Sequence, residues 1–95
     1  MQINIMSVKE CQLIRGKRES RLSNAVYIIR YNGKVCYVGK TYRCVPRRIR
    51  EHLNTGKYGW INREIEIHSY QPGETNLLDR ERELIESLRP DENKI

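Results

Sequence analysis

The chain of 95 residues has no phenylalanine and only one tryptophan. Six tyrosines supply the rest of its aromatic surface, so nearly every large ring carries a polar end that needs a partner when buried. The three cysteines, Cys11, Cys36 and Cys44, are an odd number without paired spacing. That excludes a zinc signature and a disulfide framework, and leaves free thiols in a reducing compartment as the reading. No apolar run approaches the roughly 20 residues of a membrane span. Met1 to Glu10 lacks the charged-then-apolar layout of a secretory signal, and a cytoplasmic protein is expected. Acidic residues are missing altogether from Lys34 to Arg50.

That same stretch holds six basic residues, whereas from Glu74 to Glu92 seven acids outnumber three arginines. The net charge is +6, and 12 of the 18 basic residues are arginine, the side chain better suited to bidentate phosphate contacts. The balance points to a polyanionic partner, most simply nucleic acid. The basic run is either a solvated helix face or a groove for phosphates. At this length one domain with a small core is expected.

Asn32-Gly33 lies between two runs of β-formers, the strongest short-range hairpin signal. Ala25 to Tyr31 and Lys34 to Val38 are therefore expected to pair, with a loop from Gly39 to Cys44. Pro46 opens a helix from Val45 to Leu53 whose Val45, Ile49 and Leu53 form a stripe, closed by Asn54-Thr55-Gly56. Lys57 to Trp60 reads as a loop. Ile61 to Ser69 nearly alternates and reads as a third strand, and Gln71-Pro72-Gly73 as a turn. Thr75 or Asn76 can cap a last helix that ends near Leu88 before Pro90. Ahead of the hairpin, Met1 to Met6 suggests a short edge strand and Ser7 to Ile14 a short helix capped by Ser7. Arg15 to Ser23 reads as a basic loop. Residues 1–24 are thus a basic arm with a short helix, and 25–95 the functional module.

Chemistry concentrates around the hairpin. Arg48 and His52 sit four apart and share a helix face. In the last helix Glu81 occupies a gap in the apolar stripe of Leu77, Leu84, Ile85 and Leu88. A carboxylate aimed at a core is costly unless paired or bound to a metal, so Glu81 is a salt-bridge partner, a side chain turned to solvent, or a metal ligand. Tyr27 and Tyr37 are either strand tyrosines with wet tips or catalytic phenols. His68 and Trp60 are placed in strand and loop packing. One carboxylate, two phenols and an Arg/His pair would permit phosphodiester hydrolysis: the carboxylate can anchor one Mg²⁺ with water and phosphate oxygens, and the arginine can stabilise charge on the phosphate.

These residues resemble the GIY-YIG nuclease family. Val26-Tyr27-Ile28 is similar to its first triplet, with valine for the leading glycine, and Tyr37-Val38-Gly39 to its second. Gly39-Lys40-Thr41 resembles the glycine-x-threonine that follows, and Arg48 with His52 the arginine and histidine four apart. Glu81, Leu84-Ile85, Arg89-Pro90 and Asn93 resemble the closing elements. The resemblance spans Ala25 to Asn93. It implies a small α+β domain with a three-stranded antiparallel sheet flanked by helices, cleaving DNA with one Mg²⁺ or Mn²⁺. It implies Glu81 as metal ligand and Tyr27 as general base or water-positioning group. Tyr37 and His52 would assist proton transfer or hold the phosphate, Arg48 would stabilise the transition state, and Gly39, Thr41 and Asn93 would support the site. Lys40 is expected to depress the Tyr27 pKa, and Lys40, Arg43, Arg47 and Arg50 to contact nucleic acid. Arg47 rivals Arg48, because the loop after Thr41 runs one residue longer than is common in the family. Glu83 rivals Glu81. The module has little room for base readout. A structure-selective or weakly sequence-selective endonuclease is therefore expected, with specificity from the arm, a homodimer, an accessory protein or DNA shape. A restriction- or homing-type nuclease and a non-catalytic binding module of the same fold are the alternatives, and RNA stays open as a substrate.

Overall fold

The computed structural model describes residues 1–93. Its order is β1 (Gln2–Ser7), α1 (Val8–Cys11), α2 (Lys17–Ser20), β2 (Ser23–Tyr31), β3 (Lys34–Cys44), α3 (Val45–Asn54), a 3-10 helix (Tyr58–Asn62), β4 (Glu64–Ser69) and α4 (Leu77–Leu88). The fold is α+β, an antiparallel sheet flanked by helices.

The sheet has four strands in the order β1-β4-β2-β3 rather than the three expected. The fourth is β1, which pairs with β4 from Gln2↔Ser69 to Ser7↔Glu64. Without it, the outer edge of β4 would present unpaired backbone groups. Asn32 and Gly33 both take positive φ at the β2–β3 turn, as the Asn-Gly pair requires.

A second difference lies in β3. The stretch from Gly39 to Cys44 is not a loop; it continues the ladder to Ser23↔Cys44 across an irregularity where Tyr42 and Arg43 of β3 lie against Asn24 of β2. The polar, non-alternating sequence hid a strand whose pairing is made by backbone. Two shorter segments also differ: Lys17–Ser20 is a helical turn, and Tyr58–Asn62 a 3-10 helix that shortens the following strand to Glu64–Ser69.

The sheet separates two cores. On one face α1, α3 and the 3-10 helix cover Ala25, Tyr27, Ile29, Ile65 and Ile67 with Val8, Cys11, Ile49 and Trp60. On the other, α4 covers Val26, Ile28 and Val38 with Leu77 and Leu84. Each isoleucine buried this fully contributes on the order of 2–3 kcal/mol. The three cysteines are free, and burial raises the Cys11 thiol to about 12. Among the described residues no helix is long and apolar enough to cross a membrane.

Candidate active site

Strand alternation puts Tyr27 and, across the pair, Gly39 and its neighbour Tyr37 on the α3 side of the hairpin. Gly39 is needed there for space. A Cβ at that position would lie 2.5 Å from Tyr27 Cζ and hydroxyl and 2.8 Å from Tyr37 Cε2, too close for any side chain. The absence of a side chain lets the Tyr27 ring cross the strand and meet α3.

There the Tyr27 hydroxyl lies 2.9 Å from His52 Nε2. Ring centroids of Tyr37 and His52 are 5.6 Å apart, and those of Tyr27 and Tyr37 6.2 Å. The phenols differ in access: Tyr27 is 1% exposed, whereas Tyr37 is half-buried. Val45, Ile49 and Leu53 anchor α3 to the core, which turns His52 inward and leaves Arg48, one turn earlier, exposed beside Tyr27. Arg48 also pairs with Glu51 at 3.0 Å.

The charges follow from these neighbours. Burial first, then the cations Arg48 and Lys57, lowers His52 to about 4, so its ring is neutral at pH 7. Tyr27 is pushed up from the ordinary phenol value, mainly by burial and then by Tyr37, with Arg48 opposing. Burial also raises Tyr37. Lys40 therefore does not act on Tyr27 as expected. Opposite Val26 in the ladder, it faces the α4 side, with its ammonium 5.7 Å over the Tyr42 ring. Arg48 is the cation that acts on Tyr27.

Glu81, on α4, is half-buried and close enough that its charge opposes ionisation of both phenols. Among the described residues it has no ion-pair partner within 4.0 Å. Glu83, its rival, is exposed and pairs with Arg80 at 3.3 Å. Asn93 clasps β3 at the residue before Gly39: its Oδ1 accepts from Val38 N–H at 2.7 Å and its Nδ2 donates to Val38 C=O at 2.8 Å. Thr41 Oγ1 accepts from the Arg43 N–H at 3.1 Å.

Arg43 and Arg47 are exposed near the start of α3. Arg50 is not available in the same way. Its guanidinium donates to the carbonyls of Gln12 and Ile14 and pairs with Glu19 at 2.6 Å, tying the first segments to α3. His68 lies opposite Val26, on the far face, held by Glu66, which Arg30 also contacts.

Two residues in the cluster were not anticipated. Trp60 packs against His52 and Tyr37 with centroids 4.8 and 5.0 Å away, and Lys57 sits 5.3 Å over the indole. The one signal was a lone tryptophan in a phenylalanine-free chain, next to a lysine-bearing turn.

A family model described as the GIY-YIG catalytic domain matches residues 23–95. The chain belongs to the GIY-YIG family, whose domain is that of a nuclease. Neither the curated proteins nor the solved structures contain a match.

Proposed function

We propose that the chain is a metal-dependent DNA endonuclease that hydrolyses phosphodiester bonds and chooses its target by DNA shape more than by base sequence. The observation that carries the reading is the 2.9 Å approach of the Tyr27 hydroxyl to a His52 that is neutral at pH 7.

Burial disfavours a free Tyr27 phenolate. The phenol therefore relays rather than stores a proton. Its oxygen accepts a proton from the attacking water as its own passes to His52 Nε2. The resulting hydroxide adds to phosphorus, the far P–O bond breaks, and the leaving oxygen takes a proton from solvent. An anionic phosphate beside His52 raises its affinity for that proton. Arg48 follows the charge that builds on the phosphoryl oxygens, and the accessible Tyr37 hydroxyl donates to one of them.

Glu81 fits a Mg²⁺ or Mn²⁺ ligand: it is a half-buried hard oxygen donor with no ion-pair partner among the described residues. No group of three potential ligands occurs among the described residues, so the ion would keep mostly water and phosphate oxygens. When bound, the ion would act as a Lewis acid on the scissile phosphate.

The start of α3 supports a nucleic-acid partner. Arg47 and Arg48 occupy the first turns, where the helix dipole disfavours cations, and the helix has no acidic residue in its first turn. A phosphate docked there offsets both effects. Arg43 extends the positive surface, whereas Lys40 faces the α4 side and Arg50, committed internally, is left out of it.

The test is a substrate panel of supercoiled plasmid, branched duplex, single strand and RNA, incubated with the protein in Mg²⁺ or Mn²⁺. Cleavage of branched or plasmid DNA is expected. Salt-sensitive binding without cleavage under either metal would instead mark a non-catalytic binding module.

A further inference from the structure

Among the described residues the His52 ring makes one hydrogen bond, to the Tyr27 hydroxyl. One polar contact leaves the ring free to rotate about it, so packing must fix its plane. The nearest ring is Trp60, 2% exposed, at 4.8 Å and inclined by 43°. The orientation of Trp60 is itself determined. Its Nε1–H donates to Glu92 Oε1 at 3.0 Å, and Arg63 donates to the other carboxylate oxygen at 2.6 Å. Glu92 is held by its own N–H, which donates to the Cys36 carbonyl at 2.8 Å. Partial burial alone would raise the Glu92 carboxyl, but the indole and Arg63 outweigh it and hold the group below its ordinary value. A continuous path therefore runs from the segment after α4, across the open edge of β3, through the indole, to the imidazole.

We propose that Trp60, tethered at its indole nitrogen by Glu92, is a positioning residue that holds the His52 ring against the Tyr27 hydroxyl. This rests on the proposed hydrolytic role of His52. The alternative is that the indole merely fills space, with Glu92 satisfying its N–H. The two differ in what the tether controls. A filler tolerates loss of the tether as long as the ring stays; a positioning residue does not.

The test compares Glu92→Ala, which removes the acceptor, with Glu92→Gln, whose amide oxygen still accepts from the indole. The chain has two histidines, so the His52 ring resonances are readily assigned by NMR. Glu92→Ala is expected to shift the His52 ring resonances and lower kcat about ten- to a hundredfold with KM nearly unchanged. Glu92→Gln is expected to restore most of both. Wild-type His52 resonances in Glu92→Ala would overturn the proposal, as would equal losses of kcat in the two variants. Should Glu92→Ala fail to fold, Trp60→Phe, which keeps a ring and deletes the donor, carries the same two outcomes. The NMR readout needs no turnover, so a protein that cleaves nothing refutes the proposed activity without deciding the positioning.

Discussion

The two long helices treat their N-termini in opposite ways. In α4, Asn76 caps the start by accepting from the Asp79 N–H at 3.1 Å, and Asp79 places an acid in the first turn. Both choices satisfy the orphan donors and the dipole. In α3, Cys44 supplies no side-chain cap, the first turn has no acid, and Arg47 and Arg48 follow Pro46. The partial remedy is local: Glu51 is lowered by its hydrogen bond to Arg48, with Arg47 and Arg43 adding to the effect. One helix is built for stability, and it brings one carboxylate, Glu81, near the two phenols. The other gives up local stability to hold positive charge beside Tyr27 and His52. Departures from local rules tend to fall at functional sites, and here the departure and the aromatic cluster coincide.

That contrast can be broken from either side. Between the two helix starts, the larger effect on cleavage is expected from Arg48→Ala. It should slow cleavage about 100- to 1000-fold yet shift stability by no more than about 0.5 kcal/mol, because relief of the dipole conflict offsets loss of the exposed Glu51 pair. Rates at saturating DNA with thermal melts check both halves. Leu77→Ala, under α4, should do the reverse. A loss of about 2–4 kcal/mol in denaturant titrations is expected, with turnover per folded molecule nearly unchanged.

The buried histidine gives a pH test of intermediate size. His52 is lowered to about 4 in the folded chain from an unfolded value near 6.5. Between these values the unfolded state binds more protons, so stability is complete above about pH 6.5 and declines as pH falls toward 4, by up to about 3 kcal/mol. Urea melts across that window should show the slope in wild type, and His52→Phe should flatten it. Smallest is Asn76→Ala, which removes the α4 cap at a cost of about 1 kcal/mol and should leave the rate of cleavage unaltered.

Much of this arrangement was legible in the residues. Asn32-Gly33 located the hairpin because only residues tolerant of positive φ suit a two-residue turn. Glu81 stood out because a carboxylate interrupted an apolar stripe, and the four-residue step from Arg48 to His52 was set by helix geometry. The extension of β3 beyond Gly39 was hidden because its pairing is carried by backbone, which leaves no alternation to read. The charge expected from Lys40 at Tyr27 comes instead from Arg48 for a related reason. The place of Lys40 just after the second triplet suggested the effect, but strand alternation sends that lysine to the other face. Trp60 was assigned to packing because its contacts with His52 and Glu92 join segments far apart in the chain, and no local periodicity encodes them.

The central claim is that Glu81 serves the chemistry rather than the fold. Glu81→Ala, assayed in parallel for DNA binding and for cleavage in Mg²⁺, tests it most directly. The expected result is binding at least as tight as wild type, since a negative charge beside the phosphate is removed, with cleavage reduced by about 1000-fold or more. Equal cleavage by the two proteins would contradict the claim.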